Sequence, residues 1–148
     1  MHVLKKILAA FCFTLLAVPA WAQSAAEAVD EGTVTFVEAF NSGDGARLAA
    51  LYTEDAALLP PGADRVEGRE AIAAFWQGAM DSGLVLNRIE VIEVIESGDH
   101  AIDTGAIYLN VPDGSGGFTE VGMKYVVAWR KDDDGVWRLH RDTWNALP

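Results

Sequence analysis

The chain has 148 residues, of which 22 are acidic and 11 basic, giving a formal net charge of −11 at neutral pH. A surface this negative repels phosphate backbones and anionic lipids, so the composition argues against nucleic-acid binding. The length suits one domain built around a single hydrophobic core.

The first 22 residues have the three zones of a signal peptide. Lys5 and Lys6 give a basic start, an apolar run covers residues 7–18, and Ala-Trp-Ala at 20–22 forms a small-residue cleavage site. A membrane-spanning helix needs roughly 20 apolar residues, so a retained anchor is the less favoured alternative. We expect cleavage after Ala22, a periplasmic or secreted location, and no membrane contact after cleavage.

Cleavage would leave residues 23–148, which we expect to form a single domain. The one cysteine, Cys12, lies in the leader, so the mature chain needs no disulfide and offers no thiol nucleophile or ligand. Removal of Lys5 and Lys6 leaves nine basic residues against 22 acidic ones, which gives a net charge of −13.

Three helices are predicted in the first half of the mature chain. Ser24 and Glu27 have the spacing of a capping box, and apolar residues recur at helical spacing from there to Phe40. A shorter helix with Tyr52 on its apolar face follows, and a short strand is expected over 56–59. The apolar face of the third helix consists of Ile72, Phe75, Trp76, Ala79 and Met80.

The second half of the chain alternates with period two, which is typical of strands joined by hairpins. The predicted strands are Val85–Glu96, Ala101–Val111, Phe118–Lys131 and Val136–Ala146. The alternation slips near Val91, which indicates a β-bulge that would curve the sheet. Three N-terminal helices packed on a curved antiparallel sheet make an α+β, cone-shaped fold whose open mouth suits a small molecule.

The hairpin loops allow an estimate of which residues face the cavity. Pairing Lys131 with Val136 places Tyr125 opposite Asp142, and Val111 is taken to pair with Phe118. One sheet face is then mostly apolar and aromatic, and we assign it to the cavity. This face consists of Ile102, Thr104, Ala106, Tyr108, Val121, Met123, Tyr125, Val127, Trp129, Arg138, His140, Asp142 and Trp144.

The same estimate places Asp103 on the outer face of the sheet. Asp is disfavoured in the middle of a strand, but Arg141 and Lys124 lie nearby on that face, so Asp103 is interpreted as a compensated surface charge. A slip of one residue in either hairpin would exchange the two faces beyond it.

Three residues are candidates for catalysis. His140 and Asp142 are two apart on one strand and hence share a face, where the histidine could act as a general acid or base. Tyr125 could donate a hydrogen bond to a carbonyl or oxyanion. The alternative is a His–Asp pair that is satisfied within the core, with Tyr125 completing its hydrogen bonds.

A further group of residues is predicted to bind ligand as walls of the cavity. It consists of Tyr52, Trp76, Tyr108, Met123 and Trp144. The alternative for each aromatic residue is plain core packing. We expect no cofactor and no metal, because the mature chain has two histidines and no cysteine, and Asp132 and Asp134 fit a hairpin turn better than a calcium loop.

Four stretches of the chain resemble the nuclear-transport-factor-2-like (NTF2-like) superfamily, whose fold is also called cystatin-like. They are FVEAFNSGD, LAALYTEDAALLPPGA, EGREAIAAFW and KYVVAWRKDDDGVWRLHRDTWN. Within it, they are similar to the SnoaL-like and ketosteroid-isomerase-like domains of unknown function in bacteria, and the leader described above makes this chain an expected exported member. The resemblance covers nearly all of the mature chain and implies the cone fold and a homodimer formed through the outer sheet face.

The resemblance implies less about activity, because this fold hosts isomerases, cyclases, dehydratases, epoxide hydrolases and non-catalytic domains. The tyrosine and two acids of ketosteroid isomerases correspond to Phe36, Pro60 and Val127, so that mechanism is not expected. One hypothesis is acid–base isomerase or lyase chemistry on a small apolar carbonyl or hydroxyl compound. The other is a non-catalytic ligand-binding or homodimeric interaction domain.

Overall fold

A computed structural model describes residues 23–148, so the predicted signal peptide lies outside the described residues. The helices are α1 (Ala25–Asn41), α2 (Gly45–Ala49) and α3 (Arg69–Asp81). The strands are β1 (Tyr52–Leu59), β2 (Val66–Glu67), β3 (Val85–Ser97), β4 (His100–Pro112), β5 (Phe118–Lys131) and β6 (Trp137–Ala146). None of these helices has the length and apolar character needed to cross a membrane.

The N-terminal end of α1 is closed by the predicted capping box. The Ser24 hydroxyl accepts a hydrogen bond from the Glu27 amide, and the Glu27 carboxylate accepts one from the Ser24 amide. The prediction for Tyr52 was wrong in one respect, because this residue begins β1 instead of continuing the second helix. Its side chain is fully buried in the core.

The six strands form one sheet in the order β2-β1-β6-β5-β4-β3. Strands β3 to β6 form the predicted antiparallel meander, and β1 adds to β6 in parallel. The register of β3 against β4 shifts between Val91 and Glu93, where a bulge was predicted. The predicted α+β class, with N-terminal helices on a curved sheet, is confirmed.

The predicted register of β4 against β5 was wrong by one residue. Pro112 pairs with Phe118, so Val111 pairs with Thr119 instead. Because side chains alternate between faces, this slip reverses every inside and outside assignment on β4. Asp103 therefore faces the core, whereas Tyr108 lies on the outer face.

The predicted register of β5 against β6 was also wrong. Lys131 pairs with Trp137, so Trp137 turns toward the core. A second irregularity follows, since Trp129 pairs with Leu139 while the preceding Ala128 pairs with Arg141. His140 is therefore an extra residue in β6. Because of it, Leu139 before the irregularity and Asp142 after it both face inward, although they are three residues apart.

Candidate functional site

A cavity lies between α1 and the concave face of the sheet, and we call it the inner cavity. It has about 440 Å³ of atom-free space, its open mouth included. Most of its wall is apolar or aromatic, and its charged lining residues are Asp103 and Asp142. Within the described chain, no lysine, arginine or histidine lines this cavity.

Asp103 is held in the inner cavity by two aromatic donors on β5. The Tyr125 hydroxyl donates a hydrogen bond to Asp103 Oδ1 at 3.0 Å, and the Trp129 indole N–H lies 3.4 Å from Oδ2. Glycines make room for both rings. A Cβ on Gly105 would come within 2.7 Å of the Tyr125 hydroxyl, and one on Gly32 would come within 2.7 Å of the Trp129 ring.

Asp142 is held from the other side of the cavity by the first strand. The Tyr52 hydroxyl donates to Asp142 Oδ2 at 2.6 Å, a short bond of the kind that carboxylates form with hydroxyl donors. Asp142 is 5 % exposed and Asp103 is 3 % exposed, so each carboxyl group has been removed almost entirely from water.

The two carboxyl groups lie in one row across three strands. Val127 pairs with Asp103 on β4 and with Asp142 on β6, so the two aspartates are neighbours of the same residue. Adjacent strands lie about 4.8 Å apart, which places the two backbone positions roughly 10 Å from each other with both side chains on the concave face.

Burial changes the protonation of both groups because a low-dielectric site disfavours a charged carboxylate. Burial raises the pKa of Asp142 to about 7, although the hydrogen bond from Tyr52 lowers it, and the charge of Asp103 adds to the rise. Burial also raises the pKa of Asp103 to about 6, against the hydrogen bonds from Tyr125 and Trp129. Near neutral pH the site can therefore hold one ionised and one protonated carboxyl group.

Both tyrosines remain hydrogen-bond donors throughout the physiological range. Burial, followed by the charge of Asp103, raises the pKa of Tyr125 far above its usual range. Burial also raises the pKa of Tyr52, with the charge of Asp142 as the next cause. An interaction with Trp76 partly opposes the second rise, and the Trp76 indole nitrogen is buried without a hydrogen-bond partner among the described residues.

His140 does not join Asp142 in the cavity, so the predicted neighbouring pair on one face is wrong. The extra residue in β6 turns the imidazole toward β1, where Nδ1 lies 2.9 Å from the Thr53 hydroxyl and 3.8 Å from Asp55 Oδ1. Burial and the charge of Arg141 lower the pKa of His140. Tyr125 and Asp142 do reach the same cavity, although Tyr125 pairs with Trp144.

The five predicted wall residues are divided among four places. Trp76 and Trp144 line the inner cavity, and Tyr52 lies behind it as the donor to Asp142. Tyr108 is on the outer face, where its ring lies 3.6 Å from the Arg88 guanidinium, so its assignment to the cavity is wrong.

Met123 lines a second, apolar space beside the inner cavity, and we call it the outer groove. It has about 580 Å³ of atom-free space, its opening included. Its remaining walls are Phe36, Phe40, Phe75, Trp76, Ala79, Leu84, Leu86, Ile107, Leu109 and Trp144. Within the described chain, no charged residue lines the outer groove.

Sequence reasoning assigned Asp103 to the wrong face, and it placed Trp129 on the cavity face without naming it as a site residue. Asp103 was noticed as unusual in the middle of a strand. The signal that could have led to an inward assignment is Gly105, two residues later, since an aromatic ring from the next strand needs such a gap. Residues 23–148 contain no group of three or more His, Cys, Asp or Glu that could hold a metal ion.

The model of the SnoaL-like domain family matches residues 33–140. The chain belongs to the SnoaL-like family. The match includes Asp103 and Tyr125, whereas Asp142 lies just beyond its end. A search of curated proteins found no match for the SnoaL-like chain.

Solved structures share the fold of this SnoaL-like protein. An NTF2-like protein with a cystatin-like fold from Novosphingobium aromaticivorans superposes with a TM-score of 0.70 at 25% identity, covering 82% of this chain and 81% of its own. A ketosteroid isomerase-like protein from Erwinia carotovora atroseptica has a TM-score of 0.71 at 22% identity, with coverages of 82% and 95%. A candidate dehydratase of the NTF2-like family from Streptomyces avermitilis has a TM-score of 0.64 at 20% identity, with coverages of 82% and 95%.

Proposed function

We propose that this SnoaL-like protein is an acid–base enzyme of isomerase or lyase type that acts on a small, apolar carbonyl compound. The observation that carries the proposal is the pair of buried carboxyl groups, Asp103 and Asp142, on either side of Val127 in an otherwise apolar cavity. Carboxyl groups whose pKa values lie near neutrality are suited to proton transfer at physiological pH.

In this proposal Asp103 is the general base, because its pKa is the lower of the two and its ionised form accepts two hydrogen bonds. Its carboxylate removes a proton from the carbon beside the substrate carbonyl. The C–H electron pair forms a C=C bond, and the carbonyl π pair takes the proton of Asp142 to give an enol. Asp103 is then protonated and Asp142 ionised.

The second step reverses the roles of the same two groups. Asp142 takes back the enol proton, and Asp103 returns its proton to the original carbon or to one conjugated with it, which exchanges or isomerises the compound. In a β-hydroxy ketone, the hydroxyl leaves instead with the Asp103 proton as water, which is a dehydration. Tyr125 and Tyr52 are positioning residues that hold the carboxyl groups in place.

Two of the structural relatives are consistent with this chemistry. One is a ketosteroid isomerase-like protein, and another is a candidate dehydratase of the NTF2-like family. Isomerisation and dehydration beside a carbonyl share the same first step, the removal of an α proton. Both relatives are below 25% identical to this chain, so the support for this chemistry here comes from the carboxyl pair.

Solvent deuterium incorporation tests the proposal without knowledge of the natural substrate. Protein obtained by expression of the full chain is incubated in D₂O with 2-butanone, 3-cyclohexenone and 4-hydroxy-2-butanone, and products are followed by NMR. We expect deuterium beside the carbonyl, double-bond migration or loss of water, at rates well above buffer. General-base catalysis contributes about 10² to 10⁴ in rate, so Asp103→Asn is expected to lose that much.

The matched control is Asp64→Asn, which makes the same change at an exposed position. Equal rates for wild type and Asp103→Asn, or no rate above buffer for any of the three compounds, would contradict the proposed activity. Tight binding of a compound without turnover would favour the alternative of a non-catalytic binding protein.

We also propose that the protein forms a homodimer through the outer face of its sheet. The support is a group of exposed apolar side chains there, with exposures of 74% for Ile92, 55% for Ile95, 47% for Ile102 and 45% for Val126. Exposed apolar groups clustered on a sheet face mark interaction surfaces. The family resemblance makes a second copy of the chain the natural partner.

Export is proposed on the basis of the leader alone. The residues that follow the proposed cleavage site are bound to the sheet. The Trp137 indole donates a hydrogen bond to the Gln23 carbonyl, and the Ala25 amide donates one to the Glu96 carboxylate. N-terminal sequencing of protein from the periplasm should therefore begin at Gln23, whereas an intact leader in that fraction would contradict cleavage.

A further inference from the structure

The inner cavity and the outer groove share one wall. Four residues line both spaces, namely Phe36, Trp76, Ile107 and Trp144. Two of them, Trp76 from α3 and Trp144 from β6, stack on each other with ring centroids 5.3 Å apart and planes 29° apart. The stacked indoles therefore form a partition that reaches from the helices to the sheet.

The two halves of the partition are held differently. Trp76 makes edge contacts with Phe36, Phe40 and Phe75 at centroid distances of 5.4, 6.1 and 5.2 Å. Trp144 has ring contacts with Phe75 and Trp76 among the described residues. Trp144 thus has fewer ring contacts than Trp76.

The two spaces differ in polarity in a way that matches one kind of molecule. The inner cavity contains the carboxyl groups of Asp103 and Asp142, whereas the outer groove is lined by aliphatic and aromatic side chains such as Phe40, Leu84 and Met123. The part of each space that can hold a water-sized molecule is about 40 Å³ in the inner cavity and about 160 Å³ in the outer groove. Ligand pockets usually measure 300–1,000 Å³, so each space alone is smaller than an ordinary ligand site. A ligand with a polar head and an apolar tail would use both.

We propose that the inner cavity and outer groove form one bipartite site for a ketone or hydroxy ketone that bears an apolar tail of several carbons. The carbonyl head lies between Asp103 and Asp142, and the tail passes Trp144 into the outer groove. The chemistry of the head rests on the proposed function, whereas the place of the tail rests on the partition and the apolar groove.

A series of methyl ketones tests the place of the tail. Dissociation constants of 2-butanone, 2-hexanone, 2-octanone and 2-decanone are measured by calorimetry on protein from the full chain. Burial of one CH₂ is worth about 0.8 kcal/mol, which is about fourfold in Kd, so affinity should rise by that factor per carbon until the groove is full. Kd values that do not fall with chain length would overturn the inference.

Ala79→Trp tests whether the outer groove is responsible, because Ala79 lines the groove and not the inner cavity. The variant should bind 2-butanone as wild type does, but its Kd should stop falling beyond the short ketones. Ala74→Trp, on the exposed side of the same helix, is the control and should keep the full series. An unchanged slope in Ala79→Trp would overturn the inference, and Ala79→Phe serves if that variant does not fold.

The results separate this inference from the proposed catalysis. Length-dependent binding that Ala79→Trp abolishes, combined with no deuterium exchange, keeps the bipartite site and removes the enzyme. Deuterium exchange of 2-butanone that needs Asp103, combined with a flat ketone series, keeps the enzyme and removes the outer groove from the site.

Discussion

Tyr125 reaches Asp103 because its cross-strand partner is Gly105. A Cβ at Gly105 would lie 2.7 Å from the Tyr125 hydroxyl and would also collide with the Glu90 carbonyl. The absence of a side chain at Gly105 therefore lets the Tyr125 ring cross β4 and donate its hydrogen bond to Asp103, which lies two residues before Gly105 on that strand. This arrangement also explains why a glycine, which normally weakens a strand, is present in the middle of β4.

We expect Gly105→Ala to destabilise the protein by about 2 kcal/mol or more, because the backbone and the phenol ring must both move. The control is Gly78→Ala in α3, where an added Cβ meets no atom within 4 Å. That change should stabilise the helix by roughly 0.5–1 kcal/mol. Urea denaturation measures both, and equal midpoints for Gly105→Ala and wild type would contradict the close packing.

The cavity and its location follow from the sequence pattern, but its polar residues do not. Alternation within β5 identified Met123, Tyr125, Val127 and Trp129 as one face, and all four are turned inward. A period of two fixes the faces within a strand and leaves open which face of the next strand joins them. Because the turn between β4 and β5 differs by one residue from the predicted turn, Asp103 was assigned to the outer face of the sheet instead of the cavity face.

The error on β6 had a different physical origin. The turn shifted Trp137 inward, and the extra residue at His140 then restored the predicted orientation of Asp142 and Trp144. The shifted turn and the extra residue thus cancel each other for Asp142 and Trp144, whose predicted orientation is right, but they do not cancel for His140. The bulge on β3 is marked by a slip in the alternation of apolar residues, whereas the extra residue in β6 falls within the polar run from His140 to Thr143, where no such slip marks it.

The stability of the protein should fall as pH rises from about 5 to 8. Asp103 and Asp142 have folded-state pKa values of about 6 and about 7, above the unfolded value of 3.8. The native state therefore binds more protons than the unfolded state between pH 4 and 7, and the stability it gains is lost as pH rises through the folded values. The lowered pKa of His140 acts in the opposite direction.

Thermal melting at pH 5 and pH 8 measures this effect. The loss is expected to be on the order of 2–4 kcal/mol, since one pKa unit corresponds to about 1.4 kcal/mol. The double change Asp103→Asn with Asp142→Asn should remove the loss, whereas Asp64→Asn should leave it intact. A melting temperature that is higher at pH 8 than at pH 5 would show that the carboxyl groups are not protonated in the fold.

The rate of the proposed proton transfer should depend on pH with a single maximum. Asp103 must be ionised and Asp142 protonated, so the rate rises through about pH 6 and falls above about pH 7. Because the two groups interact, the two limbs report the pair and not each residue separately. Deuterium exchange measured from pH 4 to 9 checks the shape, and a rate that keeps rising to pH 9 would exclude a protonated Asp142.

His140 should be dispensable for the reaction, since its imidazole contacts Thr53 outside the cavity. We expect His140→Gln to keep its exchange rate within about twofold of wild type, and Asp142→Asn to lose 10² or more. Circular dichroism of both variants is the control for folding. A loss in His140→Gln equal to that in Asp142→Asn would restore the histidine to the mechanism.

The outer face of the sheet gives the last prediction. Ile102 pairs with Ile95 on one side and with Ala128 on the other, so it lies among exposed apolar side chains. A charge buried at a dimer interface without a partner is costly, and Ile102→Glu should convert the dimer to a monomer in light scattering. Val34→Glu is the matched control, because Val34 is 60% exposed on α1 and away from that face. If wild type is already a monomer at micromolar concentration, the proposed dimer is wrong, and the apolar outer face needs another partner.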